Sequence, residues 1–259
     1  MIRVGVVGAA GRMGTAVVAA VTDAQDLALG ALIDPSLPSG EREVMVAGTI
    51  ESLPDGVVDV VVDFTVADAA RQHLAPALRR GIHAVVGTTG LGEDDLKELA
   101  RASEEGGGNC LVAPNFAIGA VLAMQFARQA ARYFKGVEII ELHHDAKIDA
   151  PSGTALSTAR AIAEARGLAG QEEPHDPTTS LVLDGARGGK GAGGISIHSV
   201  RLPGLVAHEE ILFGNPGEGL SIRHDSFDRS SFMGGVLLAI REIADRPGVT
   251  LGLEPLLAL

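Results

Sequence analysis

Two histidines and a lysine lie close together near the middle of the sequence, within residues 141–155. His143 and His144 follow an apolar run, and Lys147 stands three residues later in a polar stretch. Successive strand residues point to opposite faces, so both histidines face one ligand only if the strand has already ended there. Otherwise one histidine is structural. The spacing does not favour a metal site, since adjacent ligands chelate poorly and no further histidine follows at helical spacing.

A helix start follows this cluster directly. Ser152 precedes an Ala-rich run, and serine is a favoured N-cap residue. The backbone N–H groups of Gly153 and Thr154 would then lie in the first turn, where they lack intrahelical acceptors and attract anions. Lys147 alone would be read as a solvated side chain, but beside this turn it indicates an anionic substrate that must receive a proton.

The elements that position the cluster predict a second, α+β domain. The β-branched run 137–142 is typical of a strand, and residues 117–134 and 153–166 are typical of helices. Three further runs alternate like strands, at 194–202, 208–213 and 219–224. They predict an open mixed sheet that is mostly antiparallel. Because one apolar face of such a sheet needs another layer, we expect an oligomer.

The amino-terminal part predicts a nucleotide-binding domain. A β-branched run over 2–7 leads into glycines at positions 8, 11 and 14 and then into a helix. Strand, glycine turn and helix in this order are typical of dinucleotide binding, although a tight turn without a ligand stays an alternative. Asp34 ends the second strand, where a carboxylate can hold ribose hydroxyls. Asp34 favours NADH, whereas Arg12 can pair with the 2′-phosphate of NADPH, so we expect NADH use with NADPH tolerated.

Repeated strand and helix units continue this pattern to residue 116 and predict a Rossmann-type, doubly wound parallel sheet. Strands are expected at 27–33, 57–63, 82–86 and 110–113, with a turn-rich surface crossover over 35–56. Ligands bind beyond the carboxyl ends of such strands. Residues 87–89 are small or hydroxylated and suit a nicotinamide ring, although an ordinary turn is the alternative. The expected cofactor-binding residues are Gly8, Ala9, Ala10, Gly11, Arg12, Met13, Asp34, Gly87, Thr88, Thr89, Ala113, Pro114, Asn115 and Phe116.

Composition limits the kind of protein. The chain has 259 residues, 46% hydrophobic content and a net charge of −12, which disfavours nucleic acid and anionic membranes as partners. The single Cys110 fits a reducing compartment, and neither a signal sequence nor a membrane-spanning run is evident. We therefore expect a cytoplasmic enzyme.

The rest of the chain sets the domain boundaries. Residues 188–191 resemble a phosphate loop only superficially, so the glycine-rich segment before residue 194 is interpreted as a mobile or oligomer-covering loop. A helix over 231–245 looks like a return to the first domain. The dinucleotide-binding domain is predicted over 1–116 and 228–259, and the substrate-binding and oligomerisation domain over 117–227. The charged group Arg223, His224, Asp225 and Arg229 is interpreted as structural salt bridging rather than part of the site.

Several motifs together resemble one family. They are residues 8–14, 87–90, 113–116, 141–155, 223–229 and 252–257. This set closely resembles the dihydrodipicolinate reductase family, in its actinobacterial form, over essentially the whole chain. The resemblance implies NAD(P)H bound in the first domain, a cyclic dicarboxylate in the second, and a homotetramer. It also implies reduction of 4-hydroxy-tetrahydrodipicolinate to tetrahydrodipicolinate in the diaminopimelate and lysine pathway.

By position, the resemblance implies that His143 is the acid/base residue and Lys147 the proton donor. His144, Gly153 and Thr154 would hold the substrate. Asp145 and Ala146 depart from the more basic or bulky residues of many relatives, which weakens the local positive field. Two rivals stay open: another two-domain nicotinamide oxidoreductase acting on a sugar or amino acid, and a non-catalytic NAD(H)-sensing protein. The second does not require the cluster at 143–154.

Overall fold

The computed structural model describes residues 1–38 and 44–257 of the chain. It divides into two compact units, one of Met1–Ala117 with Arg229–Leu259 and one of Ile118–Asp228. Part of the crossover expected over 35–56, residues 39–43, lies outside the described residues.

The first unit is built on a parallel sheet of seven strands, in the order β12-β6-β5-β4-β1-β2-β3. The strands are β1 Ile2–Val7, β2 Leu27–Ile33, β3 Met45–Ala47, β4 Val60–Asp63, β5 His83–Val86, β6 Cys110–Val112 and β12 Val249–Leu251. The helices of this unit are α1 Arg12–Asp23, α2 Ala67–Arg79, α3 Glu93–Gly106 and α6 Met233–Glu242. The prediction of a Rossmann-type α/β sheet is confirmed.

The central strands are apolar on both faces because helices cover both sides of a parallel sheet. All four residues of β4 are buried, including Asp63 at its end. The sequence prediction extended this strand too far, to residue 57. It also missed β3 and β12, which are three residues long and too short to show a pattern.

The second unit contains a sheet of five strands in the order β11-β10-β7-β9-β8. The strands are β7 Gly136–His143, β8 Gly189–Lys190, β9 Ser196–Arg201, β10 Ala207–Asn215 and β11 Glu218–Ser226, and the helices are α4 Ile118–Ala130 and α5 Gly153–Leu168. Only β7 and β9 pair in parallel, and the other three pairings are antiparallel. The predicted mixed sheet is therefore confirmed, with α4 ending four residues earlier than expected.

Register explains where the core of the second unit ends and its polar region begins. Ile139 lies opposite Ile211 on β10 and Ile197 on β9, and all three pack in one buried cluster with Ile162 of α5. Residues at i and i+2 share a face of a strand. The next position on this face of β7 is therefore Glu141, so the apolar core gives way to charge directly below the amino end of α5.

Across residues 1–38 and 44–257, no helix combines the length and apolar character needed to cross a membrane.

Candidate active site

Glu141 is the centre of the polar cluster, and its side chain is completely buried. Both terminal nitrogens of Arg201 lie 2.8 Å from its two carboxylate oxygens. The backbone N–H of Ser152 donates to Oε1 at 3.2 Å, and His143 Nδ1 lies 2.5 Å from Oε2. Burial alone would raise the pKa of Glu141, but the hydrogen bonds from Arg201 and His143 outweigh it, and the pKa is lowered. Glu141 is therefore a buried carboxylate that orders three different segments.

His143 is the last residue of β7, so the strand ends between the two histidines. Burial lowers the pKa of His143 below its ordinary value, against the opposing effect of Glu141. The ring is therefore neutral near pH 7, with Nδ1 directed at Glu141 and Nε2 left for another partner. His144 lies one residue beyond the strand and is exposed. The strand end thus removes the geometric objection to both histidines serving one ligand.

Lys147 is held by a carboxylate that the sequence analysis did not single out. Its ammonium lies 2.7 and 2.8 Å from the two oxygens of Asp149. This contact keeps the pKa of Asp149 below its ordinary value. The carbonyl oxygen of Asp149 accepts a hydrogen bond from Arg201 at 2.8 Å. The segment between β7 and α5 that carries Lys147 and Asp149, here called the lysine loop, is therefore bound to the same arginine that binds Glu141.

The predicted N-cap is confirmed at Ser152, whose hydroxyl accepts a hydrogen bond from the N–H of Ala155 at 3.2 Å. Gly153 is exposed, and a Cβ added there would meet no atom within 4 Å. Thr154 is half-buried beside it. The first turn of α5 therefore presents open backbone N–H groups, which is the geometry that an oxyanion requires.

Sequence reasoning missed the roles of Glu141, Asp149 and Arg201. A charged residue at an inward-facing position of an apolar strand is the signal that could have found Glu141. Arg201 lies 60 residues away from Glu141 in sequence, and only the register of β7 with β9 brings the two together.

The glycine loop of the first unit has the close approach that its spacing predicts. Gly8 has a φ of +69°, a conformation that L-residues with side chains rarely adopt. A Cβ on Gly14 would lie 2.1 Å from the carbonyl oxygen of Gly8. Glycine at position 14 therefore lets α1 begin directly against the strand end, which aims its amino end at the loop.

Asp34 lies beside this loop. Its Oδ2 accepts the N–H of Ala10 at 3.0 Å, and Oδ1 accepts the N–H and hydroxyl of Ser36 at 2.9 and 2.6 Å. Burial opposes ionisation, but these hydrogen bonds lower the pKa of Asp34. Asp34 and Gly8 line a cavity of about 590 Å³ that also includes Glu51 and His73. A carboxylate at the rim of a cavity this size suits an adenosine ribose.

A second buried carboxylate, Asp63, fixes the loops after β4 and β5. Its Oδ1 accepts the hydroxyl of Thr88 at 2.8 Å and the N–H of Thr65 at 2.7 Å, while His73 contacts Oδ2. The hydroxyl of Thr88 is therefore engaged inside the unit, whereas Thr89 is exposed. A Cβ on Gly87 would lie 2.0 Å from the ring of Phe64, so this turn requires glycine.

The remaining predicted cofactor residues differ in exposure. Ala9 and Ala113 are buried, Met13 and Asn115 are half-buried, and Ala10, Gly11, Arg12 and Pro114 are exposed. Phe116 is buried with its ring 5.4 Å from that of Phe64. Asn115 Oδ1 accepts the N–H of Ala117 at 2.9 Å. The exposed positions lie at the strand ends, where a dinucleotide would bind.

Charged groups outside the site form ion pairs. Arg223 lies 3.0 Å from Asp225 and 3.0 Å from Glu210, as the interpretation of structural salt bridging requires. Lys190 of the superficial phosphate-loop sequence lies 3.0 Å from Asp176. In the part of the chain that the structure describes, no group of three or more histidine, cysteine or acidic side chains could hold a metal ion.

Two family models match the chain. The model for the amino-terminal part of dihydrodipicolinate reductase matches residues 2–116, and that for the carboxyl-terminal part matches residues 119–257. Three curated relatives, each named 4-hydroxy-tetrahydrodipicolinate reductase, come from actinobacteria. The protein of Mycolicibacterium vanbaalenii is 51% identical over 99% of both chains. The proteins of Beutenbergia cavernae and Nocardia farcinica are 52% and 53% identical over 100% of this chain and 99% of theirs.

Solved structures agree with this match. A dipicolinate-bound dihydrodipicolinate reductase from Paenisporosarcina sp. TG-14 is 43% identical, with a TM-score of 0.88 over 98% of this chain and 99% of that one. A scyllo-inositol dehydrogenase from Lactobacillus casei reaches a TM-score of 0.60 at 15% identity, over 99% of this chain and 92% of its own. That lower likeness shows a shared fold alone.

Proposed function

Because the chain belongs to the dihydrodipicolinate reductase family, we propose that its two units divide the reaction between cofactor and substrate. The reaction is the NAD(P)H-dependent reduction of 4-hydroxy-tetrahydrodipicolinate in the diaminopimelate and lysine pathway. Residues 1–116 and 228–259 would form the dinucleotide-binding domain, and residues 117–227 the substrate domain. The observation that carries this division is the cluster around Glu141, which sets Lys147 beside an open helix start.

The glycine loop fits a pyrophosphate because Gly8 and Gly14 have no side chain that would keep the phosphate groups away from the backbone N–H groups. The predicted residues at the other strand ends, 87–89 and 113–116, would hold the nicotinamide part. Asp34 and Glu51 at the cavity place negative charge where a 2′-phosphate would lie, which favours NADH. Arg12 is exposed at the start of α1 and can pair with the 2′-phosphate of NADPH. NADPH is therefore proposed as the poorer cofactor.

One carboxylate of the substrate would be bound by the N–H groups of Gly153 and Thr154, with His144 completing its contacts. The helix dipole and these unpaired donors stabilise an anion together. The protein carries a net charge of −12, so this binding energy has to come from local groups. The relative from Paenisporosarcina binds dipicolinate, which is a planar cyclic dicarboxylate of the same class.

Loss of the 4-hydroxyl of the substrate as water gives a conjugated imine, and a bound nicotinamide would supply the hydride that reduces its C4. The enamine that results on the substrate needs a proton at C3, and Lys147 is the proposed general acid. Asp149 orients its ammonium at 2.7 Å, and Arg201 holds the Asp149 backbone in turn. His143 is neutral near pH 7, and Glu141 binds its Nδ1, so Nε2 is the nitrogen proposed to act as the acid/base group. Positive side chains around the imine also increase its electrophilicity.

The face of the second sheet opposite to α4 and α5 supports the proposal of a homotetramer. On this face Leu212 of β10 lies opposite Glu138 of β7, and Ile140 of β7 lies opposite Glu210 of β10, so apolar and charged residues alternate. A second copy of the chain would provide the missing layer. A biosynthetic enzyme of this family is proposed to work in the cytoplasm.

The decisive experiment measures NADH oxidation with substrate made in place from pyruvate and aspartate semialdehyde by the preceding synthase. Lys147→Ala runs alongside, with the exposed Lys97→Ala as a matched control. We expect rapid oxidation by the wild type and by the control, and oxidation slower by about 10²-fold or more by Lys147→Ala. NADH binding without oxidation by the wild type would instead favour a sensor or an oxidoreductase with another substrate.

A further inference from the structure

Glu209 is a second carboxylate next to Glu141, and the proposed reaction makes no use of it. The two glutamates are direct partners in the antiparallel pairing of β10 with β7. Side chains at such positions lie on the same face, with Cβ atoms roughly 4.5–5.5 Å apart. Ile211, two residues further along β10, is buried in the core beneath α5. Glu209 therefore also points toward α5.

The two carboxylates have very different surroundings. Glu141 is bound by Arg201, His143 and the backbone of Ser152. The Oε1 atom of Glu209, in contrast, is buried and meets no hydrogen-bond partner among residues 1–38 and 44–257. Glu209 as a whole is half-buried. A buried carboxylate oxygen without a hydrogen-bond partner makes the ionised form costly, and protonation removes most of that cost.

The groups that face Glu209 do not supply a compensating charge. On this face β7 contributes Glu141 and His143, β9 contributes Arg201, and β11 contributes His224 opposite Glu209 itself. The terminal nitrogens of Arg201 are engaged by Glu141 and by backbone oxygens.

Burial raises the pKa of Glu209 to about 7, and the negative charge of Glu141 acts in the same direction. The α5 helix contributes Thr158, whose hydroxyl acts in the opposite direction and favours the charged form. Thr158 is buried. It lies one helical turn after Thr154, which is a residue of the proposed carboxylate site. Glu209 therefore gains or loses its proton about one helical turn away from the proposed carboxylate site.

We propose that Glu209 is a positioning residue that takes up a proton when a dicarboxylate binds, so that the site keeps one buried negative charge instead of two. The inference rests on the proposed substrate site at the amino end of α5. A dianion bound there repels ionised Glu209 and favours its protonated form, so binding and protonation are linked. Affinity for the dicarboxylate consequently falls as the pH rises through neutrality, and the neutral amide of Glu209→Gln abolishes that fall.

The test uses dipicolinate as an unreactive dicarboxylate and the full-length, NADH-loaded protein. Isothermal calorimetry near pH 7.5, in buffers of different ionisation enthalpy, gives the number of protons taken up on binding. We expect net uptake by the wild type and its loss in Glu209→Gln. Between about pH 6 and 8.5 the Kd of the wild type should rise about tenfold, while that of the variant rises much less. Glu164→Gln, at an exposed position of α5, is the matched control and should behave as the wild type.

Uptake that persists in Glu209→Gln would overturn the inference, because the proton would then go to another group such as His143. Infrared spectroscopy of the wild type keeps the test valid if the variant does not fold. A protonated-carboxyl band that grows on dipicolinate binding supports the proposal, and its absence refutes it. If the wild type fails to bind dipicolinate at all, the proposed substrate site itself is wrong. Binding with unaltered proton uptake in the variant overturns only the role of Glu209.

Discussion

Arg201 and Glu141 meet in a two-pronged pair, with each terminal nitrogen of the arginine 2.8 Å from a carboxylate oxygen. The glutamate is fully buried, and the arginine also holds the backbone of Asp149. This single pair therefore connects the end of β7, the lysine loop and the start of α5. Its planar geometry is specific to arginine, since a lysine offers only one point of attachment.

Glu141→Gln should lower both stability and activity. Removing the charge leaves Arg201 without its partner, and we expect a loss of about 2–4 kcal/mol in the free energy of unfolding. The pKa of His143 should fall further, because Glu141 acts to raise it. Urea unfolding and NMR titration of His143 measure the two effects. Glu138→Gln, on the opposite face of the same strand, is the control and should leave the His143 titration unchanged. An unaltered His143 titration in Glu141→Gln would contradict the assignment.

Lys147→Ala should reduce turnover by about 10²-fold or more while leaving NADH binding intact. The ammonium is the proposed proton donor, whereas the dinucleotide is expected to bind the other unit. Steady-state kinetics and fluorescence titration with NADH separate the two properties. Loss of NADH affinity in this variant would show that the proposed division of labour between the units is mistaken.

Asp34→Ser should shift cofactor preference toward NADPH. The carboxylate of Asp34 is ionised and stands at the cavity beside Gly8, where it would repel a 2′-phosphate. We expect the ratio of kcat/KM for NADPH over NADH to rise about tenfold, which corresponds to about 1.4 kcal/mol. Asp23→Ser, at the exposed end of α1, provides the comparison. An unchanged ratio would mean that Asp34 does not face the ribose.

Gly14→Ala should disturb the cofactor loop because its methyl group would lie 2.1 Å from the Gly8 carbonyl oxygen. Forcing the helix away from the strand end should cost about 1–3 kcal/mol of stability and weaken NADH binding. Gly167→Ala tests the same exchange in α5, where an added Cβ meets nothing within 4 Å. Thermal unfolding and NADH titration should show a large effect for the first variant and little for the second.

Glu209→Gln should change how stability depends on pH. The folded pKa is raised to about 7, so the native state holds a proton that the unfolded chain releases at lower pH. Stability of the wild type is therefore greatest below the unfolded pKa and declines as pH rises toward 7. At about pH 8 the variant should be more stable than the wild type by about 1–3 kcal/mol, a range that allows for solvent screening of the partly exposed side chain. Near pH 4 the two proteins should be equally stable. Parallel unfolding curves for both proteins across this range would refute the shift.

Much of the fold was predictable because its signals are local. The β-branched runs of the parallel sheet and the glycines at 8, 11 and 14 indicated the first unit, and Ser152 indicated the start of α5. Short edge strands such as β3 were missed, since three residues carry no periodicity and depend on the neighbouring strand for their conformation.

The candidate site was predictable in its reactive groups but not in its supports. His143 and Lys147 stand close together in sequence, and the family resemblance gave them roles. Arg201 and Glu209 reach the same place only through strand pairing, which sequence spacing does not encode. Their importance follows from burial and from which charges meet, and both are properties of the folded chain.

The strand β12 lies at the edge of the first sheet, next to β6, although the whole second unit separates them in sequence. During synthesis the ribosome therefore releases all of Ile118–Asp228 before the last strand and helix α6 of the first unit exist. The second unit is continuous in sequence, whereas the sheet of the first unit includes a strand that is made after it. The first sheet is consequently completed only after the whole second unit has been synthesised.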